Sequence, residues 1–264
     1  MSNSMTDYKT ICERVCEVAR KAGEYIDSQR KHFSFSDVEF KGVHNMVSYV
    51  DKESERMIVE ALREILPGSG FITEEGTASC RGERFRWVID PLDGTTNFVH
   101  GLPPYCVSIA LMEGEEVVAG VVYEVTHREL FHAWKGSDAY LNGERIVCSK
   151  VDRLENALIA VGFSYATIAE VEDFLDGIAY YQRNTDGIRR VGSATADLVY
   201  VACGRVDAFS QVKLSAWDVA AGAFIAQRAG AVVTDYSGGG NFIFGREIVA
   251  ANPLVYDEFI KTVK

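Results

Sequence analysis

One stretch of this chain decides how the rest of it is interpreted: Trp87-Val88-Ile89-Asp90-Pro91-Leu92-Asp93-Gly94-Thr95-Thr96-Asn97. The apolar run Trp87 to Ile89 predicts a buried strand that ends at Asp90. Pro91 then predicts a turn, so that Asp90 and Asp93 project together from the strand end. Gly94 and the two threonines predict a helix start, whose backbone N–H groups can bind an anion. Because carboxylates favour hard cations, the stretch indicates chemistry on a phosphate ester.

The composition is that of an ordinary soluble globular protein, with 47% hydrophobic and 25% charged residues. A length of 264 residues allows a large core and predicts two domains or one layered unit. The net charge of -11 argues against a general nucleic-acid binder and against an anionic membrane surface. A small anionic substrate is still compatible with this charge, because bound cations can invert it locally.

The six cysteines are scattered and form no Cys-x-x-Cys pair, which predicts reduced, mostly buried thiols. The N-terminus lacks an apolar signal core, and no apolar stretch is long enough to span a bilayer. We therefore expect a cytoplasmic protein that has neither a membrane nor a nucleic acid as its partner.

The two halves of the chain have different patterns. Helical spacing over residues 6–29 and 51–66 precedes a meander of antiparallel strands that includes a tight turn at Asn142-Gly143. From Ala157 onward strands and helices alternate, which is typical of a layered α/β unit. We expect residues 1–150 to form an N-terminal α+β domain with an antiparallel sheet, and residues 151–264 to form a C-terminal α/β domain.

Acidic residues fall where apolar runs stop or helices start: Asp51, Glu74, Glu75, Asp90, Asp93 and Asp218. Each has an ordinary alternative explanation as a helix cap, a partner of the helix dipole or a turn residue. As a set they predict convergence at one edge of the sheets, where carboxylates can hold Mg²⁺ together with waters and phosphate oxygens. Two such ions can activate an attacking water and stabilise the leaving oxygen of a phosphate ester.

Three blocks of sequence resemble the inositol monophosphatase family of Mg²⁺-dependent, lithium-sensitive phosphatases: Phe71 to Glu75, Trp87 to Phe98, and Trp217 to Gly222. The blocks occur in the family's order, and the similarity extends over nearly the whole chain. The resemblance implies an α/β fold of alternating helix and sheet layers, an αβαβα sandwich of the sugar phosphatase type. It also implies a homodimer that acts as a phosphoric monoester hydrolase on inositol phosphate.

The same resemblance implies the metal ligands. Glu74, Asp90 and the backbone carbonyl of Leu92 would hold one Mg²⁺ ion. Asp90, Asp93 and Asp218 would hold a second ion, so that Asp90 bridges the two. A third, weaker ion would lie near Glu74. The C-terminal half would thus complete the site with Asp218.

Catalytic and substrate-binding roles follow from the resemblance as well. Glu74 and Thr95 would orient the attacking water, with Asp51 hydrogen-bonded to Thr95. The backbone groups of Gly94 and Thr95 would bind the phosphate. The residues that would meet the substrate's hydroxyl groups are Asp93, Gly192, Ser193, Ala194 and Gln211.

Two positions depart from the family pattern. Gln211 stands where a substrate-binding glutamate is usual; an amide can hydrogen-bond a hydroxyl, but it brings no negative charge. Asn45 stands where many members carry an aspartate near the metal-site loop. The metals do not need Gln211, so the first departure concerns the choice of substrate rather than catalysis.

The leading hypothesis is a Mg²⁺-dependent phosphomonoesterase for a small polyol or sugar phosphate, most simply inositol monophosphate, in which water attacks phosphorus directly. Related phosphatases for fructose 1,6-bisphosphate, 3′-phosphoadenosine 5′-phosphate or a dinucleotide phosphate are alternatives. A nucleotide calls for a larger and more basic pocket, and the chain has no obvious insertion for one. A non-catalytic, metal-dependent binding protein on the same fold is a further alternative, against which the complete acidic set argues.

Overall fold

The computed structural model describes residues 6–42, 45–78, 80, 82, 84–163 and 168–263. The chain begins with helix α1 (Tyr8–Arg30), a two-stranded ribbon of β1 (Val38–Gly42) and β2 (Asn45–Ser48), and helix α2 (Tyr49–Ile65). A 3₁₀ turn, Phe35–Asp37, precedes β1. The predicted helices over 6–29 and 51–66 are therefore present, with ends that differ by one or two residues.

A seven-stranded sheet follows, with its strands in chain order: β3 (Gly70–Thr73), β4 (Phe85–Asp93), β5 (Cys106–Glu113), β6 (Glu116–Glu124), β7 (Glu129–Trp134), β8 (Ala139–Leu141) and β9 (Glu144–Ile146). The short helix α3 (Thr95–His100) joins β4 to β5. β3 is parallel to β4, and each later strand is antiparallel to the one before it, as the predicted meander requires. Asn142 and Gly143 both have positive φ, which is the conformation of a tight hairpin turn.

The second half contains a five-stranded sheet and four helices. In chain order its elements are β10 (Leu158–Val161), α4 (Ile168–Asn184), β11 (Gly187–Arg189), α5 (Ala194–Ala202), β12 (Ala208–Val212), α6 (Ala216–Arg228), β13 (Val232–Thr234), β14 (Glu247–Ala251) and α7 (Tyr256–Phe259). The sheet order is β11-β10-β12-β14-β13. A short 3₁₀ turn, Leu154–Asn156, precedes β10, and another, Ile260–Thr262, follows α7.

The elements stack in five alternating layers, so the predicted αβαβα sandwich is confirmed. Helices α1 and α2 cover one face of the larger sheet, while α5 and α6 lie between the two sheets and contact both. Alternate residues of β14 point to opposite sides: Ile248 and Ala250 join the core with α5 and α6, whereas Val249 and Ala251 pack with residues of α4 and α7. The division into domains at residue 150 stays a prediction.

Strand β4 differs from its predicted end. It runs on to Asp93 instead of stopping at Asp90, because its pairing with β5 resumes after an irregularity. Asp90 pairs with Ser108 and Asp93 pairs with Cys106, so a three-residue advance along β4 lies opposite a two-residue advance along β5. Residues three apart on a regular strand point to opposite faces, and the extra residue of a bulge cancels that alternation. The bulge therefore lets both carboxylates project on the same side.

Two further findings bear on the sequence predictions. All six cysteines are unpaired; three of them are buried and Cys80 is exposed. None of the helices within the described residues combines the length and apolarity needed to cross a membrane.

The close approach of α6 to the larger sheet predicts a stability effect at Gly120 on β6. A Cβ atom there would lie 2.9 Å from the carbonyl oxygen of Ala221 and 3.2 Å from its Cα. Gly120→Ala should therefore lower the free energy of unfolding by about 1–3 kcal/mol, measured by chemical denaturation. Gly240→Ala is the matched control, because a Cβ atom at Gly240 meets no atom within 4 Å. Equal denaturation midpoints for the two variants would contradict the packing described here.

Candidate active site

Three carboxylates meet where the larger sheet approaches α6. Asp90, Asp93 and Asp218 each offer one oxygen, and these oxygens lie within 4.8 Å of one another. Asp90 is 2% exposed, whereas Asp93 and Asp218 are partly exposed, so the group extends from the protein interior toward the surface. The bulge in β4 supplies two of the carboxylates and the first turn of α6 supplies the third. The structure thus brings together the residues expected to hold the second ion.

Hydrogen bonds at helix starts fix two of these side chains. The Ser215 N–H donates to Oδ2 of Asp218 at 2.6 Å, in a capping box at the start of α6. Oδ2 of Asp93 accepts from the Ser193 hydroxyl at 2.6 Å and from the Thr195 N–H at 2.7 Å, at the start of α5. Asp218 is therefore both a helix-capping residue and a member of the cluster.

The cluster is electrostatically strained without a cation. Burial, followed by the charges of Glu74, Asp93 and Asp218, raises the pKa of Asp90 well above its usual range. Burial and the charge of Asp93 raise the pKa of Asp218 to about 7. Carboxylates this close cannot all ionise at neutral pH unless positive charge is present. An all-oxygen donor set of this kind fits Mg²⁺ or a similar hard cation.

Glu74 lies beside this cluster, directly after β3. Its N–H donates to the carbonyl of Ile89 at 3.3 Å, and its carboxyl group contributes both a charge and a hydrogen bond to the raised pKa of Asp90. Parallel pairing of β3 with β4 explains the proximity, since the ends of the two strands meet at the same edge of the sheet. The expected partnership of Glu74 and Asp90 is consistent with this geometry.

Glu55, which was not among the predicted site residues, holds the loop that carries Glu74. Its buried carboxylate accepts from the N–H of Glu75 at 2.7 Å, and from the N–H and hydroxyl of Thr77 at 2.8 and 2.7 Å. The sequence carries little signal for this role, because Glu55 lies in a highly charged helix where a solvated side chain is the ordinary expectation.

Glu55→Gln should therefore raise the Mg²⁺ concentration that the protein needs for activity, without unfolding the protein. An amide has one acceptor oxygen where three donors converge, and its NH₂ group faces those donors. Outer-shell substitutions of this kind cost about 10–100-fold in metal affinity or activity. The measurement is the Mg²⁺ concentration for half-maximal phosphate release, with exposed Glu60→Gln on the same helix as control. An unchanged Mg²⁺ requirement would exclude the role assigned to Glu55.

Asp51 and Thr95 form a second polar pair next to the carboxylates. Oδ2 of Asp51 accepts from the N–H and hydroxyl of Ser48 at 2.8 and 2.6 Å, which caps α2. Oδ1 of Asp51 accepts from the Thr95 hydroxyl at 3.1 Å, so the helix-cap explanation and the expected contact with Thr95 both apply. The Thr95 hydroxyl also lies 3.1 Å from the carbonyl of Leu92, and its single proton can serve only one of the two acceptors. Burial raises the pKa of Asp51.

A cavity of about 290 Å³ opens beside the carboxylates. Its lining consists of Asp93, Gly162, Phe163, Arg190, Gly192, Ser193, Ala194, Asp197, Gln211, Lys213, Leu214 and Asp218. All five residues expected to contact the substrate's hydroxyl groups therefore line this cavity. Gln211, on β12, extends over Gly162, where any side chain would collide with its amide group. The side chain of Asn45 lies outside the described residues.

Two cationic side chains, Arg190 and Lys213, also line the cavity. The guanidinium carbon of Arg190 lies 4.3 Å from the centroid of the Phe163 ring, a stacked arrangement that holds the cation at the cavity wall. Lys213 has φ of 61°, a left-handed conformation that is uncommon for a residue with a side chain. The cavity wall therefore combines positive charge with the amide of Gln211.

Asp197 is a cavity residue that the sequence predictions did not single out. It lies in the first turn of α5, is 1% exposed, and its Oδ1 has no hydrogen-bond partner within the described part of the chain. Burial and the charge of Asp93 raise its pKa well above the usual range. A helix dipole contributes about 0.3–1 kcal/mol, whereas burial of a charge costs several kcal/mol. The dipole alone does not explain an acid at this position.

Comparisons with known proteins agree with this geometry. A model of the inositol monophosphatase family matches residues 7–264. Inositol-1-monophosphatase of Mesorhizobium japonicum is 36% identical over 249 residues, which cover 94% of each chain. Nus factor SuhB of Pseudomonas aeruginosa is 39% identical over 251 residues, which cover 93% of each chain. The solved structure of the Thermotoga maritima IMPase has a TM-score of 0.86 at 37% identity, with 94% of each chain covered.

The names of these relatives differ, since one is named for an enzyme activity and another as a Nus factor. Similarity of the chain therefore does not assign a substrate. The family model nevertheless extends over nearly every residue of the chain, and the similar solved structure has the same layered fold. The protein belongs to the inositol monophosphatase family, which implies a phosphatase.

Proposed function

We propose that this protein is a Mg²⁺-dependent phosphomonoesterase that hydrolyses a small polyol or sugar phosphate, with inositol monophosphate as its leading substrate. The observation that carries the proposal is the group formed by buried Asp90 with partly buried Asp93 and Asp218, at the edge of a polar cavity. A volume of about 290 Å³ is at the low end of small-molecule sites. This size favours a single ring with its phosphate over a dinucleotide.

The donor atoms suit two Mg²⁺ ions and a third, weaker one. Asp90, Asp93 and Asp218 would hold one ion, and Glu74, Asp90 and the carbonyl of Leu92 would hold another; the third would lie near Glu74. When bound, the ions supply positive charge that lowers the pKa of a water and stabilises the leaving oxygen. The raised pKa values of Asp90 and Asp218 support this assignment, because a cation removes the repulsion that causes them.

The chain's own residues position the reacting groups. Thr95, together with Glu74, would orient a water toward phosphorus, and Asp51 would take up its proton through the Thr95 hydroxyl, 3.1 Å away. Backbone N–H groups of Gly94 and Thr95 would hold the phosphate oxygens. Attack forms the new P–O bond as the ester P–O bond breaks. The departing alkoxide takes a proton from solvent water to leave as the alcohol, and Asp51 returns its proton to solvent. No phospho-enzyme is formed.

The alcohol part of the substrate would occupy the cavity. Asp93, Gly192, Ser193, Ala194 and Gln211 would contact its hydroxyl groups. Inhibition by lithium, a homodimeric assembly and a cytoplasmic location remain predictions that accompany the proposed activity.

A panel of phosphate esters tests the proposal. Metal-stripped protein would be assayed for phosphate release, with and without Mg²⁺, from inositol 1-phosphate, fructose 1,6-bisphosphate, 3′-phosphoadenosine 5′-phosphate and a dinucleotide phosphate. We expect Mg²⁺-dependent release that is fastest from inositol 1-phosphate. Faster release from another ester would reassign the substrate, and no release from any ester would support a non-catalytic binding protein.

A further inference from the structure

We propose that Asp197 is a specificity-determining residue, which accepts a hydrogen bond from a hydroxyl group on the alcohol part of the substrate. The inference rests on the proposed phosphatase function and goes beyond it, because it names the group that the cavity recognises. It predicts a preference for substrates that place a hydroxyl group against the start of α5.

The first support is an unmet hydrogen-bond requirement. Asp197 is 1% exposed and lines the cavity, yet its Oδ1 has no partner within the described residues. Buried polar atoms in proteins are nearly always hydrogen-bonded, and the exceptions call for an explanation such as a missing ligand. The rest of α5 is almost wholly apolar, so a carboxyl group is not required there for packing.

The second support is that the other carboxyl groups of the cavity wall belong to the proposed metal site. Three carboxyl groups line the described cavity wall, namely Asp93, Asp197 and Asp218. Asp93 and Asp218 belong to the proposed metal cluster, and Oδ2 of Asp93 is already bonded to Ser193 and Thr195. Asp197 is therefore the carboxyl group of the described cavity wall that lies outside this cluster, and it can bind the alcohol in addition to Asp93.

Arg190 does not satisfy Asp197 in this structure. Its guanidinium group lies over the ring of Phe163, and the described residues form no Arg190–Asp197 ion pair within 4.0 Å. A hydroxyl donor is the chemical class that fits the remaining acceptor, since a neutral donor can enter a cavity that already holds two cationic side chains.

The test compares substrates with and without hydroxyl groups. Asp197→Ala should lower kcat/KM for inositol 1-phosphate by about 10-fold, mainly through KM, because a buried hydrogen bond to the substrate is lost. The loss on p-nitrophenyl phosphate, which has no ring hydroxyl group, should stay within about threefold. Asp197→Asn, whose amide oxygen still accepts, should recover most of the loss. Asp176→Ala, at an exposed position, is the matched control and should leave kcat/KM unchanged for both substrates.

Deoxy analogues of inositol 1-phosphate identify the hydroxyl group concerned. One analogue should lose affinity for the wild type but show no further loss with Asp197→Ala, because both changes remove the same contact. Equal losses on inositol 1-phosphate and p-nitrophenyl phosphate, with a lower Tm, would indicate a structural role and overturn the inference. Wild-type protein that releases no phosphate from any ester would instead overturn the proposed function, and this role with it.

Discussion

Asp218→Asn should reduce turnover by about a thousandfold at saturating Mg²⁺, which corresponds to ~4 kcal/mol of transition-state stabilisation. The reason is that the substitution removes one of the three anionic oxygens, from Asp90, Asp93 and Asp218, that lie within 4.8 Å of one another. The fold should persist, because the amide oxygen can still accept from the Ser215 N–H that caps α6. Without metal, the variant should be at least as stable as the wild type, since it removes a charge that burial and Asp93 already disfavour.

Phosphate release and thermal unfolding, measured on the same preparations, check both parts of this result. Asp93→Asn should behave similarly in turnover, although it also disturbs the contact with Ser193. Asp152→Asn, an exposed aspartate, serves as the matched control and should retain full activity. Near-normal turnover of either cluster variant at saturating Mg²⁺ would show that the metal assignment is wrong.

Mg²⁺ should raise Tm more at pH 8 than at pH 5.5. In the metal-free protein the pKa of Asp218 is raised from 3.8 to about 7, so the folded state binds more protons than the unfolded state in this window. The free energy of unfolding therefore falls as pH rises from 5.5 to 8, by roughly 2 kcal/mol of the ~4 kcal/mol that the whole shift represents. At pH 8 the repulsion is fully present and Mg²⁺ relieves it, whereas at pH 5.5 the cation must first displace protons.

The expected size of the effect follows from binding linkage. At a Mg²⁺ concentration one hundred times Kd the folded state gains about 2.7 kcal/mol, or roughly 5–10 °C in Tm for a chain of this length. Thermal unfolding of metal-stripped protein, with and without Mg²⁺ at both pH values, measures it. Asp218→Asn should lose most of the difference between the two pH values. An equal increase at both pH values in the wild type would rule out the cluster as the site of binding.

Much of the candidate site was predictable because its acids stand at ends of apolar runs. Asp90 follows an apolar run that predicts a buried strand, and Asp218 opens a helix after Trp217, so their side chains were expected at edges of the layers. Local pattern shows where such a residue lies along its element. The meeting of the end of β4 with the start of α6 depends on how α6 packs against the larger sheet. From the sequence, this meeting was expected only because all the acids together suggested a metal site.

The features that were not predicted depend on contacts distant in the sequence. The bulge in β4 arises because Cys106 and Ser108 pair across it, and no local rule distinguishes this from a strand that ends at Asp90. The burial of Glu55 depends on the Glu75–Thr77 loop folding back on α2. Asp197 did carry a signal, since it is the one charged side chain in the otherwise apolar and small-residue stretch of α5.

The most direct test of the account is to locate a divalent cation by anomalous diffraction from Mn²⁺, used in place of Mg²⁺, in crystals of the wild type. We predict a peak among the carboxylate oxygens of Asp90, Asp93 and Asp218, and a second peak between Asp90 and Glu74. In crystals of Asp218→Asn, the first peak should weaken or disappear. Full occupancy elsewhere with no peak among these carboxylates would contradict the metal-dependent mechanism.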